Sequence, residues 1–156
     1  MKTIFLFIAI ITSTILFSQQ VKLADGKFQT FITNGNNEES YIEFSISNDV
    51  LEKIKQSQDF KNISEDKNLI QKNIEKRNVS DPMTIFLLTK VSAAGFATKY
   101  KLKNKTSFKV AENAKGKIYY SENGLTVSFP FEAQNDLGAE MKATSITNDK
   151  STSILK

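Results

Sequence analysis

Leu125-Thr126-Val127-Ser128-Phe129-Pro130-Phe131-Glu132 decides the reading of this chain, because Leu125, Val127, Phe129 and Phe131 alternate with Thr126, Ser128, Pro130 and Glu132. A period of two sends successive side chains to opposite faces, so the stretch predicts a strand with one face on a core. Ser121-Glu122-Asn123-Gly124 stands just before it, and Asn-Gly supplies the positive φ angles of a tight hairpin turn from a strand carrying Ile118, Tyr119 and Tyr120. Pro130 has no amide proton to give a ladder, which predicts an edge strand or a bulge at that point. Asn135-Asp136-Leu137-Gly138 reads as the next turn and residues 139–147 as a returning strand, with residues 148–156 as a flexible tail.

Upstream, Lys99-Tyr100-Lys101-Leu102-Lys103 predicts another strand, resuming at 107–110. Residues 83–98 are the most apolar stretch after the N-terminus, and their signals conflict. Ser80 or Asp81 as cap with Pro82 at the first helical position favours a helix, whereas Gly95 and the β-branched Thr84, Ile85, Thr89 and Val91 favour a strand or a break. A helix over 82–94 is the expectation. Nearer the N-terminus, residues 27–33 and 41–47 read as a hairpin, since Ile42, Phe44 and Ile46 alternate with Glu43, Ser45 and Ser47. Two wet helices should follow, one started by Asp49 and Glu52, the other capped by Ser64 and running to Arg77 with Leu69, Ile70 and Ile74 as its core candidates. The sum is a single small α+β domain over 19–147, an antiparallel sheet of about five to six strands with a helical middle segment packed on one face.

Residues 1–18 have the layout of a secretory signal peptide: Lys2, an apolar stretch from Ile4 to Phe17 broken by Thr12-Ser13-Thr14, then small Ser18 before polar Gln19-Gln20. The stretch is about 14 residues, short of the roughly 20 that span a bilayer, so no stable membrane span is expected once it is cleaved. With no cysteine at the cleavage point the chain is not expected to be a lipoprotein, and a periplasmic or secreted location follows. Cysteine is absent altogether, so stability has to come from packing and not from disulfides. The formal charge is +4, and its sign rests on lysine because Arg77 is the sole arginine. Nucleic-acid binders favour arginine for bidentate contacts to phosphate and guanine, so nucleic acid is not an expected partner.

The absence of histidine and cysteine excludes Ser-His-Asp and Cys-His nucleophile systems, imidazole bases and zinc sites built on those ligands. Ser64-Glu65-Asp66-Lys67 has an S-x-x-K spacing but lacks its S-D-N and K-T-G partners, and a helix cap accounts for it. The loop at 34–39 carries oxygen donors without the calcium-loop spacing, and no metal or other cofactor is expected. Glu43, Glu132, Asp136 and Glu140 are the carboxylates from which an acid and base pair would be drawn.

Two further groups carry binding hypotheses. Lys99, Lys101, Lys103 and Lys105, spaced by two, would face one side of an extended strand, either holding an anionic polymer or lipid headgroups or protecting a solvated edge. Phe96, Phe108, Phe129 and Phe131 either line an apolar pocket or fill the core. The expected function is a noncatalytic exported domain that binds another envelope or extracellular macromolecule, or serves as a structural or accessory protein. A carrier of a small apolar ligand and a carboxylate-based hydrolase are the alternatives.

Overall fold

Gly124, at a φ of 98°, turns the chain from β5 (Lys115–Ser121) into β6 (Gly124–Gln134). The computed structural model describes residues 20–156, so the expected signal peptide lies outside the described residues. In β6, Leu125, Val127, Phe129, Phe131 and Ala133 all turn into the core. Pro130 is not on an edge strand, since β6 pairs on one side with β7 (Glu140–Thr147) and on the other with β5 and the short β4 (Lys109–Val110). The pairing with β5 stops at Ser128 and that with β4 starts at Phe131. Pro130 occupies the gap between two partner strands, where no ladder needs an amide proton from it.

The sheet has eight strands, more than expected, in the order β1-β2-β3-β5-β6-β7-β8 with β4 beside β6. The hairpin of β2 (Lys27–Thr33) and β3 (Glu39–Ile46) has Phe28 opposite Phe44, and β1 (Lys22–Ala24) is added at its side through the Asp25-Gly26 turn. Residues 148–156 are not a flexible tail. Asn148 Oδ1 accepts from the Lys150 and Ser151 amides at 2.9 and 3.0 Å, and the turn leads into β8 (Thr152–Leu155), paired antiparallel with β7. All neighbours are antiparallel except β3 and β5, which run parallel with Glu43 opposite Lys115.

The helical middle has more breaks than the apolar pattern implies. Ser47 and not Asp49 caps α1 (Asn48–Gln56), its hydroxyl accepting from the Val50 amide. Ser57 both ends α1, donating to the Ile54 carbonyl, and starts α2 (Gln58–Glu65) by accepting from the Phe60 amide. Ser64 is therefore inside α2, and Asp66 caps α3 (Lys67–Arg77). Leu69 and Ile70 are half-buried and Ile74 is exposed, so α3 lies across the surface and contributes little to the core.

The fourth helix holds the fold together. Asp81 caps α4 (Pro82–Lys101), accepting from both the amide and the hydroxyl of Thr84, with Pro82 in the first turn. The helix passes the expected end at 94 and takes in residues 99–101 of the segment expected as a strand at 99–103, Leu102 capping its end. Buried Val91, Ala94, Gly95, Thr98 and Leu102 follow the helical period, and that stripe against the sheet overrides the alternation of the lysines. Phe44, Ile54, Phe86, Leu87, Val91, Phe108 and Phe129 belong to one continuous core. The Thr98 hydroxyl lies 2.6 Å from that of Ser145, tying α4 to β7 inside the protein.

Gly95 sits in the middle of α4 because the helix approaches β2 closely there: a Cβ at this position would lie 2.7 Å from Cγ2 of Ile32. Alanine at 95 gains up to about 1 kcal/mol of helix propensity but forces a contact whose relief costs about 1–3 kcal/mol. Gly95→Ala is therefore expected to destabilise the protein in urea unfolding. In an Ile32→Ala background, where Cγ2 is gone, the same substitution should become neutral or stabilising.

Candidate functional site

Where α4 ends, its buried stripe and its exposed stripe diverge. Phe96 and Tyr100, one helical turn apart, are 58% and 56% exposed. Their ring centroids are 4.2 Å apart with planes inclined at 34°, and Lys105 Nζ lies 4.2 Å from the Tyr100 centroid. Leu102 is buried and anchors the chain as it leaves the helix, and a 3-10 turn at Lys105–Ser107 then carries it towards β4.

This returning segment is strapped to the turn between β6 and β7. Lys103 pairs with Asp136, Asn104 Nδ2 donates to Gln134 Oε1 at 3.0 Å, and Ser107 Oγ accepts from the Gln134 amide at 2.9 Å. Within the turn, Asn135 Oδ1 accepts from the amides of Leu137 and Ala139, holding the loop closed while the Leu137 side chain is 92% exposed. Between helix end, turn and β8 runs a groove of about 580 Å³, whose lining includes Lys101, Lys103, Leu137, Met141 and Ile154. Phe96 and Tyr100 are thus presented to solvent beside Lys105, and Leu137 is exposed at the groove that Lys101 and Lys103 also line. Exposed apolar groups in contact, as Phe96 and Tyr100 are, mark contact surfaces more often than isolated ones do.

The expected lysine row does not form. Lys99 and Lys101 stand in the last turn of α4, Lys103 in the loop and Lys105 in the 3-10 turn. In a helix, residues two apart point nearly oppositely, so the spacing that aligns ammonium groups on a strand separates them here. They still crowd one end of the protein, and the helix C-terminus, with its partial negative charge, favours cations there. Among the described residues Lys99, Lys101 and Lys105 make no ion pair.

The expected phenylalanine group also divides. Phe108, Phe129 and Phe131 are buried and pack ring against ring, with centroids 6.5 Å apart for Phe108 and Phe129 and 5.5 Å for Phe108 and Phe131. Phe96 lies outside, on the exposed face of α4. The carboxylates are spread over the sheet and each of three meets lysine: Glu43 faces Lys27 and Lys115, Glu132 faces Lys142, and Asp136 faces Lys103. The hydrogen bond from Gln29, opposed by burial and helped by Lys27 and Lys115, holds the Glu43 carboxyl below its ordinary value. In the loop at 34–39, the Asn34 amide donates to Ser40 Oγ and its oxygen accepts from the Val110 amide, so that side chain is committed to tying the loop to β3 and β4. Among the described residues no group of three or more acids converges as a metal cluster.

A second charged constellation lies towards the other end of α4. Lys90 Nζ donates to Asp59 Oδ2 and Asp149 Oδ1, both at 3.0 Å, joining α4 to α2 and to the loop before β8. Its ammonium also lies 5.6 Å from the Phe86 ring centroid. The clamp has no signature in the sequence, because nothing in the spacing of positions 59, 90 and 149 brings them together. A comparison with protein-family models, curated proteins and solved structures finds no match to this chain.

Burial alone would lower the Lys90 pKa, but the bonds to Asp149 and Asp59 outweigh it and raise the value above the usual 10.5. A folded-state pKa above the unfolded one adds stability that is complete below the unfolded value and disappears as pH rises through the folded one. Lys90→Met should cost about 1 kcal/mol at neutral pH, since both partner acids are half-exposed. In urea unfolding the gap between wild type and Lys90→Met should close as pH is raised beyond 10.5.

Proposed function

We propose that this protein is a noncatalytic extracytoplasmic domain that docks on another component of the cell envelope or its surroundings through the exposed end of α4. The leader-like residues 1–18 support the compartment. The observation that carries the docking role is the stacked pair Phe96 and Tyr100, more than half exposed where Phe28, Phe44, Phe86, Phe108, Phe129 and Phe131 are buried and Phe31 and Phe60 half-buried. A free surface gains nothing from holding two aromatic rings in water, whereas a contact surface gains the area they lose to solvent on binding. Lys99, Lys101 and Lys105 around them favour a partner with negative charge. The carrier alternative draws no support from Phe108, Phe129 and Phe131, whose rings fill the space a ligand would take.

Replacing both rings by a good helix former tests this reading without touching the core. Phe96→Gln with Tyr100→Gln is expected to leave folding stability within about 0.5 kcal/mol of wild type. The same protein should move from the sedimenting envelope fraction to the supernatant in cell fractionation. A double variant that stays with the envelope as wild type does would show that α4 is not the docking element.

A further inference from the structure

We infer that the partner of this surface is an anionic lipid layer, with Phe96, Tyr100 and Leu137 entering its outer region and the neighbouring lysines facing its headgroups; this rests on the docking role proposed above. Leu137 is the most informative residue. It projects at 92% exposure from a turn held shut by the two bonds to Asn135, so the fold presents a large apolar side chain on a braced tip. Polymers of sugar or phosphate offer nothing for a leucine to bury against, whereas the boundary of a bilayer accepts it.

The aromatic pair points the same way. Sugars and bases stack on open, flat rings, but Tyr100 is in contact with both Phe96 and the Lys105 ammonium, and the two rings are inclined at 34°. Such a cluster makes an apolar wedge with a polar hydroxyl, of the kind tyrosine forms at membrane interfaces. The charges complement headgroups: Lys99, Lys101 and Lys105 carry no ion pair among the described residues, and Asp136, the acid adjoining Leu137, is neutralised by Lys103. Lysine attracts lipid phosphate as a point charge and does not need the bidentate geometry of arginine. Among the described residues no helix is long and apolar enough to cross a membrane. A second copy of the chain fits less well, because its own lysines would meet these.

Sedimentation of the full chain with vesicles tests the inference. Mixed phosphatidylglycerol and phosphatidylcholine vesicles should retain the protein, with at least about tenfold weaker binding to phosphatidylcholine alone. Leu137→Ser and Phe96→Gln should each weaken binding to the mixed vesicles by about tenfold. Lys101→Gln and Lys105→Gln should each weaken it by about fivefold. Equal binding to both vesicle types, or binding that survives Leu137→Ser and Phe96→Gln as a retained leader would give, overturns the inference. Capture by soluble polyglutamate, sensitive to the lysine substitutions and indifferent to Leu137→Ser, overturns the lipid partner and leaves the docking role standing. If vesicles and polyglutamate both fail to bind and the double glutamine variant fractionates as wild type, both readings fall together.

Discussion

The contact between Gly95 and Ile32 sets the depth at which α4 lies against the sheet, and most of the architecture follows from that depth. Only a residue without a side chain lets the helix axis come so near β2. At that distance Thr98 reaches Ser145, Leu102 is covered, and the N-terminal half of the helix is buried almost all round. The sheet contacts α4 through β2 on one side and through β7 and β8 on the other, so the helix occupies the concave side of a curved sheet. The part of α4 left uncovered is the narrow stripe that carries Phe96 and Tyr100.

Much of this was legible in the sequence wherever a pattern and its turn chemistry agreed. The hairpins β2–β3 and β5–β6 were plain from alternation, and Asn123-Gly124 located one turn. Asp25-Gly26 carries an equally good turn signal, with φ values of 52° and 72°, but β1 is only three residues long and offers too little alternation to register. The tail failed for a related reason: Thr152-Ser153-Ile154-Leu155 has one buried position, and its pairing partner in β7 is what makes it a strand. Pro130 suggested an edge because a missing amide is costly only where a ladder wants it, and the gap between β4 and β5 depends on tertiary arrangement.

The candidate surface was half legible. Its residues were singled out, Phe96 in one group and the lysines in another, but under the wrong local structure. Lysines at spacing two suggest a strand when no partner is known, and the stripe Val91, Ala94, Gly95, Thr98 and Leu102 that identifies a helix contains a glycine and a threonine, both weak as hydrophobic markers. In the sequence Leu137 shows only as part of a turn. Its exposure depends on the bracing by Asn135 and on the strap from 103 to 107, neither of which has a signature in composition.

One feature of the topology governs how this chain reaches its native state. Strands β1 to β3 form a meander with short loops, and β5 to β8 form another. They meet along a single parallel seam in which Glu43 faces Lys115, separated by 72 residues. Each meander closes local contacts, whereas the seam requires the intervening helices to bring two distant segments together, with the larger entropic cost of a long loop. Contacts of such separation slow folding. The two halves of the sheet should acquire order early and separately, and the joining of β3 to β5, with α4 settling across both, should be the late step that makes the protein one cooperative body.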